Sequence, residues 1–216
     1  MKPLLVLSAG VIMATVLIEV GNGGGFFRPY FGDIPATVGV LLASAAGGGA
    51  MWFLNVRRWF SVHQSGRGWR GFVASAFVAT LLAAVAIGVD FTVGIEVANV
   101  PPPWSLAFYP VMAFVAEVVF HLLPLALLLA AASALRVSKE VSVWSAMALS
   151  SLIEPTFQIA GDSAGWLAAY VWLQVWAVNA TQLYVFRRFG FVSMYLVRIV
   201  YYLHWHIVWG ALRLTV

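Results

Sequence analysis

Within an apolar run from Ser105 to Leu135, the chain carries the stretch Phe114-Val115-Ala116-Glu117-Val118-Val119-Phe120-His121-Leu122-Leu123-Pro124. Glu117 and His121 are four residues apart, so a helix would place both side chains on one face, one turn apart. The run is long and apolar enough to cross a membrane. Ionisable side chains are costly inside a bilayer and by default mark a functional site there. The stretch therefore predicts a membrane-spanning helix with a buried carboxylate–imidazole pair.

The composition of the whole chain is that of a polytopic membrane protein. Of its 216 residues, 62% are hydrophobic and only 9% are charged, and the mean hydropathy is +0.93. These values exclude an ordinary globular domain with a large core. The absence of cysteine excludes a disulfide framework and thiolate metal ligands. The net charge of +4 comes from short loops between apolar runs, so we expect a lipid bilayer and no nucleic acid as a partner.

Seven apolar runs are each long enough to span about 30 Å of hydrocarbon at about 1.5 Å per residue. No polar stretch between them is long enough to form a second domain. We therefore predict an all-α, polytopic transmembrane bundle of about seven helices, with residues 1–216 forming a single integral membrane domain. The runs cover approximately residues 3–20, 36–54, 72–95, 105–135, 141–160, 164–186 and 191–213.

The basic residues predict the orientation of the chain in the bilayer. With seven spans, only Arg28 and Arg213 fall on the side opposite the N-terminus. Cytoplasmic loops carry an excess of Lys and Arg, so the N-terminus is expected in the cytoplasm and the C-terminus outside. We expect the protein in a bacterial cytoplasmic (inner) membrane. The nine basic residues on the N-terminal side are Lys2, Arg57, Arg58, Arg67, Arg70, Arg136, Lys139, Arg187 and Arg188.

The run 141–160 supplies a second buried carboxylate. Glu154 is its only charged residue, and Pro155 follows directly. A proline inside a helix removes a backbone donor, so Pro155 is expected to kink the helix beside the carboxylate. Counted from the ends of their runs, Glu117, Glu154 and His206 fall within a layer of roughly 5 Å near the midplane.

The last run carries a polar stripe at helical spacing. Arg198 lies well inside this run and must face protein rather than lipid, which fixes the stripe as inward-facing. His204 falls on another face, so His206 is the site candidate. The stripe is expected to face the runs 105–135 and 141–160. Its members are Tyr195, Arg198, Tyr202, His206 and Trp209.

These residue types allow several kinds of chemistry. Glu117, held by an imidazole, could act as a general base toward water, and His206 and Tyr202 could donate to an oxyanion. The set Glu117, His121, Glu154 and His206 would alternatively suit zinc or another divalent ion.

Two further interpretations stay open. His121 and His206 could ligate a b-type haem. Arg198 could simply neutralise Glu117 or Glu154, which would give a structural ion pair without chemistry.

Two stretches resemble motifs of the CAAX-protease and bacteriocin-processing (CPBP, or Abi) intramembrane proteases. That family carries Glu-Glu-x-x-x-Arg on one helix and Phe-x-x-x-His on the next. The stretch Ala116-Glu117-Val118-Val119-Phe120-His121 looks like the first motif, with Ala for one Glu and His for Arg. The stretch Ser150-Ser151-Leu152-Ile153-Glu154-Pro155 looks like the second, with Glu in the place of His.

The C-terminal part resembles the family's third motif, His-x-x-x-Asn or His-x-x-x-Ser. Arg187-Arg188-Phe189-Gly190-Phe191 looks like the lead-in to it. Its counterpart here would be Arg198-x-x-x-Tyr202 or Tyr202-x-x-x-His206. The resemblance covers a core of about residues 101–211.

The resemblance implies an intramembrane hydrolase or transferase that acts on a membrane-anchored peptide or lipoprotein. Glu117 would activate water with His121 and Glu154 as partners, while Arg198, Tyr202 and His206 would polarise the substrate. The alternative is a non-catalytic small membrane subunit or a transporter-like protein whose buried charges are structural or carry protons.

Overall fold

The structure, a computed structural model, describes residues 1–64, 68–95, 99–160 and 165–213. These ranges are helical and contain no strand, which confirms the all-α fold class. A short 3₁₀ turn (Gly24–Phe27) precedes α2. The helices are α1 (Lys2–Val20), α2 (Arg28–Phe31), α3 (Ala36–Val56), α4 (Gly68–Val93), α5 (Ser105–Ala134), α6 (Lys139–Ser151), α7 (Ile153–Gln158), α8 (Trp166–Phe189) and α9 (Phe191–Arg213).

Five of these helices, α1, α3, α4, α5 and α9, are long and apolar enough to cross a membrane by length and composition. Together they identify a membrane helical bundle in a lipid bilayer. Besides the four-residue α2, the described part of the chain contains eight helices, close to the seven predicted. The long helix α8 has 24 residues and a more polar sequence.

The predicted single helix over residues 141–160 is wrong. The chain breaks at Leu152 into α6, with 13 residues, and α7, with six. Pro155 lies in the first turn of α7, where a helix does not need the missing backbone N–H. The helix is therefore interrupted beside Glu154, at the point where the missing N–H of Pro155 leaves a carbonyl without its helical donor, as the predicted kink requires.

Hydrogen bonds to backbone carbonyl oxygens hold the basic loops together at one end of the bundle. Arg187 donates to the carbonyl oxygen of Trp59 at 2.6 Å, and the N–H of Phe191 donates to Ser61 at 3.0 Å. Lys139 approaches the same loop, with Nζ 3.3 Å from the carbonyl oxygen of Arg58. This grouping agrees with the predicted partition of basic residues. Arg67, one of the nine, lies outside the described residues.

Asp90 joins the C-terminal ends of α4 and α9, at the bundle end opposite the basic loops. Its carboxylate accepts hydrogen bonds from Trp209 and Arg213 of α9, and from the backbone N–H of Ile95 at 2.6 Å. The last helix thus packs against α4 along its length, and it also contacts α5 and α8.

Two helices contain a π-helical turn, in which backbone hydrogen bonds reach back five residues instead of four. In α5 the turn covers Glu117–Leu122, and the N–H of Leu123 donates to the carbonyl oxygen of Val118. In α9 it covers Leu203–Trp209. Such turns are rare and occur frequently at functional sites.

Candidate membrane-embedded site

Arg198 lies at the centre of a buried ion cluster that joins α5, α7 and α9. Its Nε donates to Glu117 at 2.6 Å, and its two terminal nitrogens donate to the two oxygens of Glu154 at 2.8 Å each. All three side chains are buried. The two carboxylates that the sequence placed at similar depth are therefore joined, through Arg198.

The guanidinium group of Arg198 is fully engaged within the protein. Its remaining contacts are with the hydroxyl oxygen of Tyr202 at 3.3 Å and Oδ1 of Asn179 at 3.4 Å. An arginine has five N–H donors, and the contacts with Glu117, Glu154, Tyr202 and Asn179 account for five. No N–H of Arg198 remains for a substrate in this arrangement.

Glu117 is likewise surrounded by donors. Its two oxygens accept hydrogen bonds from Arg198, from Nε2 of Gln182, and from Nδ1 of His121 at 2.6 Å. The side chain is fully enclosed. A carboxylate whose lone pairs are taken by three donors has little capacity left to bind and deprotonate a water molecule.

The hydrogen bond to Glu117 also orients the ring of His121. Because Nδ1 carries the proton donated to the carboxylate, Nε2 holds a lone pair in the neutral imidazole. Nε2 is buried and has no hydrogen-bond partner among the described residues.

A cavity of about 660 Å³ lies beside the ion cluster, between α5, α7, α8 and α9. Its walls are apolar and aromatic, with side chains such as Phe108, Val119 and Phe157. Glu154, Arg198 and their neighbours form its polar floor. Apolar pockets with a few convergent polar groups are the usual form of small-molecule sites. Its other polar lining residues are Gln158, Gln174, Asn179, Tyr202 and His206.

His206 lines this cavity and is held in a fixed orientation. Nδ1 lies 2.9 Å from Oδ1 of Asn99, which also accepts a hydrogen bond from the hydroxyl of Tyr109 at 3.2 Å. The imidazole ring stacks on Tyr109, with centroids 4.5 Å apart and planes 13° from parallel. Since Nδ1 donates to Asn99, the lone pair of the neutral ring is on Nε2. No other hydrogen bond of His206 is found among the described residues.

The predicted stripe on α9 is confirmed for four of its five members. Arg198 and Tyr202 contact the cluster, Tyr195 donates to the carbonyl oxygen of Pro110 on α5 at 2.9 Å, and His206 lines the cavity. The fifth, Trp209, instead donates to Asp90 of α4. The physical reason is the π-helical turn, which advances less than 100° per residue and so shifts the end of the stripe.

His204 has a local role in α9. Its Nδ1 lies 2.8 Å from the carbonyl oxygen of Val200, one turn earlier in the same helix. His204 is not among the residues that line the cavity, whereas His206 shares it with Glu154. His206, and not His204, therefore lines the cavity, and its assignment as a site residue stays a prediction.

The four side chains considered as metal ligands do not form a ligand set. Among the described residues, no group of three or more His, Cys, Asp or Glu side chains could hold a metal ion. Glu117 and Glu154 direct their oxygens toward the guanidinium group of Arg198 instead. His121 is fully enclosed and does not line the cavity of His206, so the two imidazoles are not arranged as a haem pair.

No protein-family model, curated protein or solved structure matches this chain. The resemblance to the CPBP proteases therefore stays a prediction based on the motifs quoted above. Arg198, from the third of these stretches, contacts Glu117 from the first and Glu154 from the second.

Three polar residues of the site were missed by reasoning from the sequence. Asn179 and Gln182 are three residues apart on α8 and both reach the ion cluster. Their spacing is a helical signal that the sequence offers. Asn99 lies in a connection between two apolar runs, where no periodicity indicates which way a side chain points.

Proposed function

We propose that the protein is an integral membrane hydrolase or transferase that acts on a membrane-anchored peptide or lipoprotein in the cavity. The observation that supports this proposal is His206, an imidazole oriented by Asn99 with its lone pair on Nε2, in a pocket with apolar walls and a polar floor. An oriented imidazole is the most common general base in enzymes. The similarity to CPBP motifs supports the same class of activity.

In this proposal His206, and not Glu117, removes a proton from the attacking water or other nucleophile. The nucleophile then adds to the carbonyl carbon of the substrate, and the proton on Nε2 passes to the leaving group when the bond breaks. Asn99 holds the ring in the tautomer that this transfer needs, as an orienting group does in catalytic triads.

Tyr202 is suited to stabilise the oxyanion. Its hydroxyl oxygen accepts a hydrogen bond from Arg198 at 3.3 Å, and its own O–H has no acceptor among the described residues. The ring lies edge-on to His206, with centroids 4.9 Å apart. A fixed O–H donor next to the base is the kind of group that stabilises developing negative charge.

The ion cluster then has a positioning role. Glu117 and Glu154 fix Arg198, and Arg198 fixes the hydroxyl group of Tyr202. His121 and Gln182 complete the hydrogen bonding of Glu117. Precise orientation of this kind contributes to catalysis although the residues do not touch the reacting atoms.

We also propose a location and an orientation for the protein in the membrane. The nine-to-two partition of basic residues supports a bacterial inner membrane protein with a cytoplasmic N-terminus. Asn99, which orients His206, lies in the connection between α4 and α5, at the bundle end opposite the basic loops, so the reaction would occur toward the outer face.

The test uses purified protein in nanodiscs and a panel of synthetic lipidated peptides with amide, ester and thioester linkages. Mass spectrometry detects cleavage or transfer. We expect His206→Gln to lower turnover by about 100-fold or more, as loss of a general base does. His204→Gln is the matched control, and its turnover should equal that of the wild type. Equal activity of the two variants, or no turnover of any peptide, would contradict the proposal.

A second candidate function has one observation in its favour. The cluster of Glu117, Arg198 and Glu154 uses every guanidinium N–H internally, as a purely structural ion cluster would. The protein would then be a non-catalytic membrane subunit or transporter-like protein that only binds a ligand in the cavity. Binding without turnover in the same nanodisc experiment identifies this case.

A further inference from the structure

Positive charge is concentrated around the loop that follows α3, at the basic end of the bundle. Lys139 of α6 and Arg187 of α8 both donate to this loop, to the carbonyl oxygen of Arg58 at 3.3 Å and to that of Trp59 at 2.6 Å. The loop itself adds the side chains of Arg57 and Arg58. Two helices and one loop thus bring four cations together, and we call Arg57, Arg58, Lys139 and Arg187 the basic patch.

No carboxylate neutralises the basic patch within the part of the chain that the structure describes. The ion pairs found there involve other cations, and all four side chains of the patch are exposed. Glu140, at the start of α6, is the one described acid at this end, and it forms no ion pair. Since like charges held close to one another repel, an anion bound at the patch would stabilise it.

Arg187 is held in place with most of its donors free. One N–H binds the carbonyl oxygen of Trp59, and the guanidinium carbon lies 5.8 Å from the centre of the Phe60 ring. A guanidinium group has five N–H donors and an ammonium group has three. Arg187 and Lys139 each use one of theirs, with no further acceptor among the described residues. An oriented guanidinium fork with free donors matches the geometry of a phosphate group.

The surroundings of the basic patch are those of the headgroup layer of a membrane. Trp52, near the end of α3, and Trp69, at the start of α4, are 59% and 69% exposed. Tryptophan side chains at membrane–water interfaces lie at the level of the lipid headgroups. One turn beyond Lys139, Val141 and Trp144 present exposed apolar surface on α6. A phosphate at the patch would therefore adjoin a surface for acyl chains, which a soluble phosphate would not use.

We propose that the basic patch binds the phosphate group of an anionic phospholipid, whose acyl chains lie along the exposed apolar surface of α6. This inference does not depend on the proposed function. The phosphate oxygens would accept hydrogen bonds from Arg187 and Lys139 and so connect α6 and α8 at the loop after α3. A zwitterionic phospholipid carries the same phosphodiester, but its ammonium group would meet four cations. The net charge of the lipid therefore decides which one binds.

Native mass spectrometry of the wild-type protein in detergent tests this selectivity, with dioleoyl phosphatidylglycerol and dioleoyl phosphatidylcholine as probes with identical chains. Each basic residue near a headgroup contributes about fivefold in affinity. We expect phosphatidylglycerol to bind about 25-fold more tightly, from the two cations that are anchored to the loop. Parallel thermal unfolding should show that phosphatidylglycerol raises the melting temperature more than phosphatidylcholine does, because a ligand of the folded state stabilises it.

Variants locate the selectivity in the basic patch. Lys139→Gln should lower the affinity for phosphatidylglycerol about fivefold, and the double variant Lys139→Gln/Arg187→Gln should bind the two lipids with nearly equal affinity. Arg28→Gln is the matched control for the single change, since Arg28 is an exposed cation that pairs with Asp33 in the segment between α1 and α3. This control should keep the wild-type preference.

Equal affinity of the two lipids for the wild-type protein would overturn the proposal and leave the basic residues with a role in orientation only. So would equal losses in Lys139→Gln and Arg28→Gln. Inorganic phosphate, added at matched ionic strength, should not displace phosphatidylglycerol; displacement would overturn the assignment to a lipid in favour of a soluble phosphate anion. If the double variant fails to fold, the wild-type series and Lys139→Gln still decide, because the side chain of Lys139 is exposed.

Discussion

Gly47 of α3 lies directly against Val118 of α5, so that a Cβ atom built on Gly47 would come within 2.6 Å of a Val118 methyl carbon. Val118 follows Glu117 in the π-helical turn. The close approach of the two helices therefore supports the part of α5 that carries the ion cluster. Small residues permit such approaches between membrane helices.

We predict that Gly47→Ala destabilises the protein by about 1–3 kcal/mol, because the added methyl group overpacks the contact with Val118. Gly48→Ala is the matched control, since no atom lies within 4 Å of a Cβ at that position. The control should be neutral or stabilise the helix by up to about 1 kcal/mol. Thermal unfolding in detergent measures both. Equal melting temperatures of the two variants would show that the contact is not tight.

Glu117→Gln tests whether Glu117 holds the cluster together. The amide would leave Arg198 with one carboxylate and would bring its own N–H₂ group toward three donors, His121, Gln182 and Arg198. Breaking a buried ion pair costs about 3–5 kcal/mol. We therefore expect loss of folded yield in detergent, measured by size-exclusion chromatography.

Glu140→Gln is the control for that experiment, because Glu140 is exposed at the start of α6. Its yield should equal the wild-type yield. A Glu117→Gln protein that folds normally but has no turnover would instead support the base role that the sequence suggested for this residue.

Glu19 should contribute to stability as a cap for a neighbouring helix. Its Oε1 accepts the backbone N–H of Ala36 at 2.7 Å, and Oε2 accepts the hydroxyl of Thr37, in the first turn of α3. We expect Glu19→Ala to cost about 1 kcal/mol, the usual value of a cap. Asp33→Ala removes only an exposed pair with Arg28 and should have almost no effect on the melting temperature. Equal effects of the two changes would rule out the capping role.

Fused reporters test the orientation of the bundle. A reporter inserted at His63, an exposed position in the basic loop, should be active only in the cytoplasm. A reporter fused after Val216 should be active only outside, because an odd number of spans separates the ends in either the five-span or the seven-span case. Cytoplasmic activity of the C-terminal fusion would contradict the predicted topology.

The apolar runs and the inward position of Arg198 could be predicted because both follow from the cost of exposing the wrong group to lipid. Arg198 cannot face hydrocarbon, so its face of α9 had to point toward other charges. The same argument brought Glu117 and Glu154 to it. Hydrophobicity fixes which segments are buried in a bilayer, and a buried charge fixes the rotation of a segment.

The break at Leu152 and the position of His206 relative to the cluster could not be obtained in that way. The run of residues 141–160 is apolar as a whole, so its hydropathy does not distinguish one helix from two. The partner of His206 is Asn99, more than 100 residues away along the chain, in a connection without periodicity. Long-range polar pairs of this kind depend on how the helices pack, and helix packing leaves no local pattern in the sequence.

The two π-helical turns have a consequence for how this bundle can change over evolutionary time. Each turn holds one residue more than an α-helical turn would. The extra residue rotates the part of the helix that follows the turn relative to the part that precedes it. Loss of a single residue within a turn would rotate one half against the other while each half kept its own hydrophobic pattern. A one-residue deletion is thus a route by which descendants of this chain exchange the groups at the centre of the bundle without redesigning its lipid-facing surface.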